Sequence, residues 1–274
     1  MKRKFVGECS LTGEHGQLVK SHLIPRALTR LSLAGEKHIQ FAIGGRGQRV
    51  PDSWYDLKLV TQKGEDILSD IDSRGIEELR AHHLVWSGWG GRAVLCSVLE
   101  LEAGAPFRML RLSDTSTLRL FFLSLLWRAG ASELDAMTYV QLTTAELEDL
   151  RKRVLSCDPG SVANFPVVLH QLSTLGPPHN RVPLLEEEPL FGLDGQATGE
   201  VVSYVRFYFE GLVARIYLGS RQPLPDWIEQ IALRDDGNAL ISLRPFDDSR
   251  TKDDINSLMA AYDRWTRQCD GTRG

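Results

Sequence analysis

The chain has 274 residues, 42% of them apolar and 25% charged, with a formal net charge of −4. That length suits one large or two medium domains around a substantial core, and the charge excludes a generally polycationic binder. Four cysteines, Cys9, Cys96, Cys157 and Cys269, form no CxxC pair, so spacing defines neither a disulfide framework nor a complete zinc site, and they read as reduced thiols of a cytoplasmic protein.

Met1-Lys2-Arg3-Lys4 is followed by only two apolar residues, which is not the pattern of a secretory leader. The most apolar run, Leu118 to Trp127, is interrupted by Arg119 and Ser124 and falls well short of the ~20 residues of a membrane span, so no membrane partner is expected. Charge is unevenly placed: residues 1 to 50 carry nine basic and three acidic side chains, a net +6, which leaves −10 for the remainder. A basic front on an acidic body fits a phosphate-binding face, and equally a solvated surface with a lysine-rich terminus.

In chain order, Phe5 to Cys9 and Gln17 to Lys20 read as two strands of a hairpin joined by the polar turn Thr12 to Gly16. Pro25 opens a short helix over Arg26 to Leu33. Gly44 to Arg49 reads as a mobile basic loop whose glycines match no phosphate-loop pattern. A helix starts near Glu65, and at about 100° per residue Glu65, Leu68, Asp72, Ile76 and Leu79 share one face. Ser113-Asp114 caps a buried helix over Leu118 to Trp127, and Thr143 or Thr144 starts another that reaches Leu155. Phe165 to Leu169, Val201 to Phe209 and Leu212 to Leu218 have strand composition, the last two joined by the turn pair Glu210-Gly211. An amphipathic helix over Lys252 to Trp265 closes the chain.

Three stretches carry chemistry: Cys9-Ser10-Leu11-Thr12-Gly13, then Ser21-His22-Leu23-Ile24-Pro25, then Leu59-Val60-Thr61-Gln62-Lys63-Gly64-Glu65. In this order they resemble the HNH, or ββα-metal, endonucleases, over the segment that ends near Leu84. The resemblance implies an N-terminal ββα-metal-like module within residues 1–110; the helix and strand patterns read above add a mixed helical and antiparallel-sheet domain within 111–274, an α+β protein in all. The resemblance also implies a hydrolase that cuts phosphodiester bonds, of the kind that serves restriction or phage defence. His22 would then be the general base, and Glu65, Asp72 and Ser21 would surround a Mg²⁺ or Mn²⁺ ion. Lys20, Arg26, Arg30, Arg46 and Arg49 would meet the phosphates of nucleic acid, DNA being the expected partner.

Two departures from the family pattern stand out. The knuckle positions are Cys9 with Thr12 and Thr61 with Gly64, so three of four thiolates are absent and no structural zinc is expected. Ser21 stands where an acidic or imidazole ligand is usual. The alternative is therefore a non-catalytic descendant that binds nucleic acid, and a third reading is an interaction subunit whose acidic C-terminal part docks to a protein partner; the oligomeric state is not encoded. Plainer roles stand beside these. Glu65 and Asp72 favour the positive end of a helix dipole, His82 and His83 point apart on a helix, Trp86 and Trp89 suit packing as well as base stacking beside Arg92, and Arg128 can hold a carboxylate of the other domain.

Overall fold

The computed structural model describes residues 5–29, 38–41, 48–50, 53–95, 99–100, 106–177, 179–191 and 196–256. Strands β1 (Phe5–Glu8) and β2 (His15–His22) form the expected hairpin, in antiparallel register from Phe5 opposite Leu18 to Glu8 opposite His15. Its turn is tied by Cys9 N–H to the Glu14 carbonyl (2.9 Å) and Gly13 N–H to the Cys9 carbonyl (2.8 Å), with Gly13 at φ 72° where a side chain would be strained. After Pro25 only a 3₁₀ turn, Arg26–Leu28, is formed within the described residues, in place of the start of an α-helix.

Short strands β3 (His38–Phe41) and β4 (Gln48–Val50) follow, and Gln48 and Arg49 therefore belong to a strand rather than a loop; the rest of that glycine-rich stretch, 42–47, lies outside the described residues. Strand β5 (Tyr55–Thr61) pairs with β2 and runs directly into helix α1 (Gln62–Ala81). Leu68, Ile71, Ile76 and Leu79 form the buried stripe of α1. Gly75 sits on that stripe because a β-carbon there would lie 2.5 Å from Phe121, so its absence sets the close crossing of the next long helix.

Strands β6 (Leu99–Glu100) and β7 (Pro106–Arg111) lead to helices α2 (Thr115–Ala131) and α3 (Thr144–Ser156). Asp114 caps α2 by accepting from Thr117 N–H at 2.9 Å, and Thr143 with Glu146 closes a reciprocal capping box on α3. The C-terminal part comprises β8 (Val167–Leu172), β9 (His179–Arg181), β10 (Leu184–Phe191), β11 (Ala197–Phe209), β12 (Leu212–Tyr217), the short helix α4 (Asp226–Ile231) and β13 (Asn238–Arg244). Residues 250–256 are helical, and the remainder of the expected closing helix lies outside the described residues.

Three sheets result: β1-β2-β5, β4-β3-β9, and a seven-stranded sheet in the order β10-β11-β12-β8-β13-β7-β6. The large sheet is mixed rather than wholly antiparallel, because β13 runs parallel to β8. It also takes in β6 and β7, so a division near residue 110 does not follow the sheet. At the tip of the β11–β12 hairpin Glu210 (φ 46°) and Gly211 (φ 79°) both adopt the left-handed conformation that a two-residue turn between twisted strands requires.

Helix α2 is buried all round from Leu118 to Ala129, with Arg119, Ser124 and Arg128 buried among its apolar residues. It lies between α1 and the large sheet, with Phe121 and Phe122 against Phe209 at ring separations of 6.4 and 6.3 Å. One continuous apolar core therefore runs from Cys9 through α2 to Ile241. Among the described residues no helix is long and apolar enough to cross a membrane.

Candidate functional site

Of the residues singled out by the HNH resemblance, Ser21, Glu65 and Asp72 come together where the end of β2, the start of α1 and the C-terminal half of α2 meet. Ser21 pairs with Asp56 across the sheet and His22 with Tyr55. Alternation along the strand then separates the two neighbours. Ser21 is wholly buried, whereas His22 is half-buried and meets the edge of the Tyr55 ring at 6.1 Å. The Lys20 ammonium lies 4.0 Å above the same Tyr55 ring.

Glu65, in the first turn of α1, is half-buried and faces Ser21 and Arg128. Burial pushes its carboxyl pKa up. The nearby Ser21 hydroxyl and Arg128 guanidinium pull it down, Asp72 and Asp66 push it up again, and the net direction is upward. Neither Ser21 Oγ nor Glu65 Oε2 closes a hydrogen bond of ordinary geometry, and both atoms are shut off from solvent. The Ser21 hydroxyl is the donor available to this carboxyl, and its pull on the pKa is downward, against the larger effect of burial.

Asp72 is committed elsewhere. Arg128 grips it with both terminal nitrogens, Nη1 to Oδ2 at 3.0 Å and Nη2 to Oδ1. The same guanidinium donates from Nη1 to the His22 carbonyl (2.9 Å), from Nη2 to Ser124 Oγ (3.0 Å) and from Nε to the Ser124 carbonyl (3.3 Å). Its side chain is 1% exposed, and these five bonds match the five N–H donors that arginine has. Glu65 and Asp72 are seven residues apart, about 10 Å along the helix axis, whereas two oxygens on one Mg²⁺ at ~2.1 Å each lie within about 4 Å of one another. The face they share on α1 therefore places them beside one guanidinium rather than around one ion. Among the described residues no three His, Cys, Asp or Glu side chains are grouped to hold a metal.

The four knuckle positions do converge. Thr12 N–H donates to Cys9 Sγ at 3.4 Å, and a β-carbon at Gly64 would lie 2.9 Å from the same sulfur. Burial raises the Cys9 pKa, but the hydroxyl and N–H groups of Thr12 and Thr61 outweigh it and hold the thiol below its usual value. The Thr61 hydroxyl faces the sulfur without completing a bond of ordinary geometry. One thiol, two hydroxyls and the bare α-carbon of Gly64 occupy these four positions.

Of the basic residues, Lys20 lies on Tyr55 and Arg26 is exposed on the 3₁₀ turn. Arg49 is placed on β4, while Arg30 and Arg46 lie outside the described residues. A groove of about 690 Å³ opens beside Tyr55, lined by Phe5, Leu18, Lys58, Ala131 and Leu134. His82 and His83 do not converge: His82 Nε2 lies 3.3 Å from Glu78, and His83 Nδ1 lies 2.5 Å from the Gly88 carbonyl. Trp89 is buried with its N–H on the His83 carbonyl (2.9 Å), which makes it a packing residue.

The pairing of Arg128 with Asp72 has a partial sequence signal in the Ser124 to Arg128 spacing on an otherwise apolar helix, since a buried guanidinium needs a counter-charge and acceptors. No protein-family model matches the chain, and no curated protein or solved structure matches it either.

Proposed function

We propose that the segment from β1 to α1 is an HNH-derived module that binds nucleic acid, through Lys20, Arg26, Arg49 and the Tyr55 surface beside His22, and no longer cuts it. The observation that carries this reading is the saturated guanidinium of Arg128. It pairs with Asp72, bonds the His22 carbonyl and works against the burial that raises the Glu65 pKa, so the protein's own cation stands among the residues that a divalent ion would otherwise join. The convergence of Cys9, Thr12, Thr61 and Gly64 supports descent from a zinc-pinned ancestor.

A second reading, an active Mg²⁺- or Mn²⁺-dependent endonuclease with His22 as base, is favoured by one atom: Glu65 Oε2, a carboxylate oxygen with no partner among the described residues. One experiment separates the two. Labelled single- and double-stranded DNA is incubated with the full chain at several salt concentrations, with and without Mn²⁺. The binding reading expects complexes without cleavage, with an affinity that falls as salt rises and falls further in Lys20→Glu and Arg26→Glu. Mn²⁺-dependent cleavage that His22→Ala removes establishes the endonuclease instead, and absence of binding at low salt defeats both.

A further inference from the structure

The seven-stranded sheet packs one face on the main core, and its other face carries two smaller buried clusters, one around Val168, Tyr204 and Tyr217 and one around Leu172 and Tyr208, with His170 between them. On β13 the residues alternate cleanly: Ala239, Ile241 and Leu243 are buried, while Leu240, Ser242 and Arg244 are exposed. Ser242 stands opposite His170 of the parallel strand β8, and Arg244 opposite Leu172. On the other side of β8, Val213 of β12 is opposite His170 and Arg215 is opposite Val168, so Arg215 is the diagonal neighbour of His170 on the same face. Two guanidiniums therefore flank a Ser–His pair whose Oγ and Nδ1 are 2.5 Å apart.

This group is incompletely satisfied. His170 Nε2 and Arg215 Nε are both enclosed by their neighbours and have no hydrogen-bond partner. Burial, then Arg215 and Arg244, pushes the His170 pKa down to about 3, so the imidazole is neutral near pH 7. If Nδ1 accepts the Ser242 hydroxyl proton, Nε2 carries a donor with no acceptor, beside the orphaned N–H of Arg215. Leaving such a donor buried and unpaired is unfavourable. Arg215 has one carboxylate, Glu188, at 2.6 Å, and its guanidinium rests 4.8 Å from the centre of the Tyr204 ring. Arg244 is exposed and has no ion pair among the described residues. The second carboxylate nearby, Glu186, is taken by Arg206, Arg250 and the Tyr204 hydroxyl. The Tyr217 hydroxyl also faces Arg215. The face thus sets two guanidiniums and two unpaired enclosed nitrogens against one carboxylate, an arrangement that repels cations.

We infer that this face binds an oxyanion, a phosphate or phosphomonoester group, between Arg244, Ser242 and Arg215, with a small shift of the Arg244 side chain that brings an anion oxygen to the His170 and Arg215 donors. Such a group has the several acceptor oxygens and the charge that the cluster lacks. The site lies on the C-terminal sheet and is independent of the nuclease-like module.

The test is thermal unfolding and calorimetry of the full chain titrated with inorganic phosphate, with chloride matched for ionic strength. Phosphate is expected to bind saturably and raise Tm, and to move the ¹⁵N resonance of the His170 ring. Arg244→Gln changes an exposed side chain and should unfold in phosphate-free buffer like the parent. Arg244→Gln should weaken phosphate binding at least about tenfold, the size expected for a lost charge-assisted hydrogen bond. A nucleoside 5′-monophosphate that binds more tightly than phosphate assigns the site to a phosphomonoester, and equal affinities assign it to the free ion. No saturable response, or an equal response in Arg244→Gln, overturns the inference. His22→Ala should leave the phosphate response intact, which keeps this result separate from the fate of the N-terminal reading.

Discussion

The two places where arginines meet the polar groups of this fold are opposites. At the junction of β2, α1 and α2, Arg128 uses every donor it has, and Cys9 is ringed by threonine hydroxyls and backbone N–H groups. On the second face of the large sheet, Arg215 and His170 each keep an enclosed, unpaired nitrogen and Arg244 faces solvent. The first region has closed its cation positions with groups from its own chain; the second leaves an anion position open. A saturated buried ion pair organises a fold, and an unsaturated cluster asks for a ligand, so hydrogen-bond completeness separates structure from site more sharply than residue type does.

The largest expected effect comes from reopening a closed position. Thr12→Cys, Thr61→Cys and Gly64→Cys together would surround Zn²⁺ with four thiolates at about 2.3 Å each. The β-carbon at 64 would lie 2.9 Å from both Cys9 Sγ and Val60 Cβ, so a small local shift must accompany the metal. The triple variant should bind one Zn²⁺ per chain with an all-sulfur signature in X-ray absorption, and its Tm should fall sharply with a chelator. A triple variant that folds and takes up no zinc would mean that the convergence around Cys9 is not a knuckle geometry, which removes the main structural support for HNH descent.

Next in size is the ion pair itself. Asp72→Ala strands the charge of Arg128, whose side chain is 1% exposed, and should cost about 3–5 kcal/mol in urea unfolding at pH 7. Asp72→Leu combined with Arg128→Met removes both charges and should cost less than Asp72→Ala alone, because an apolar pair of similar volume avoids the stranded guanidinium. A single variant as stable as the parent would show that Arg128 finds its compensation elsewhere, and the contrast between the two regions would fail.

How much of this was legible in the sequence depends on the range of the forces involved. Helices α1, α2 and α3 follow from local periodicity and caps, Asp114 and Thr143 included. The β1–β2 and β11–β12 hairpins follow from their turns. The parallel pairing of β13 with β8, the inclusion of β6 and β7 in the large sheet, and strand β10 do not, since they depend on partners far along the chain. Strand β10 is also disguised by Glu186 to Glu188, charges that are tolerable because Arg206 and Arg215 on neighbouring strands meet two of them. At the candidate site the sequence orders Ser21, His22, Glu65 and Asp72 along the chain, and α1 does put the two carboxylates on one face. It carries no measure of the guanidinium between them, because that contact spans 56 residues from Asp72 to Arg128.

The smallest expected effect bears on Glu65, the one carboxylate at the junction whose state the contrast leaves open. Its pKa is raised in the folded protein, chiefly by burial, so the folded state binds the proton more tightly than the unfolded state does. The associated stability is fully present below the pKa of the unfolded chain and is lost as pH rises through the folded value. Glu65→Gln keeps the shape, carries no charge and offers an N–H to Ser21 Oγ. The variant should therefore match the parent near pH 4 and exceed it at pH 7 to 8, by on the order of 1 kcal/mol if a single buried hydrogen bond is completed, as chemical unfolding at the two pH values would report. A variant less stable than the parent at pH 7, with the gap closing toward pH 4, would mean that the ionised carboxylate is the favoured form. Glu65 would then be poised for a cation, and the region assigned here as closed would have to be treated as a working metal site.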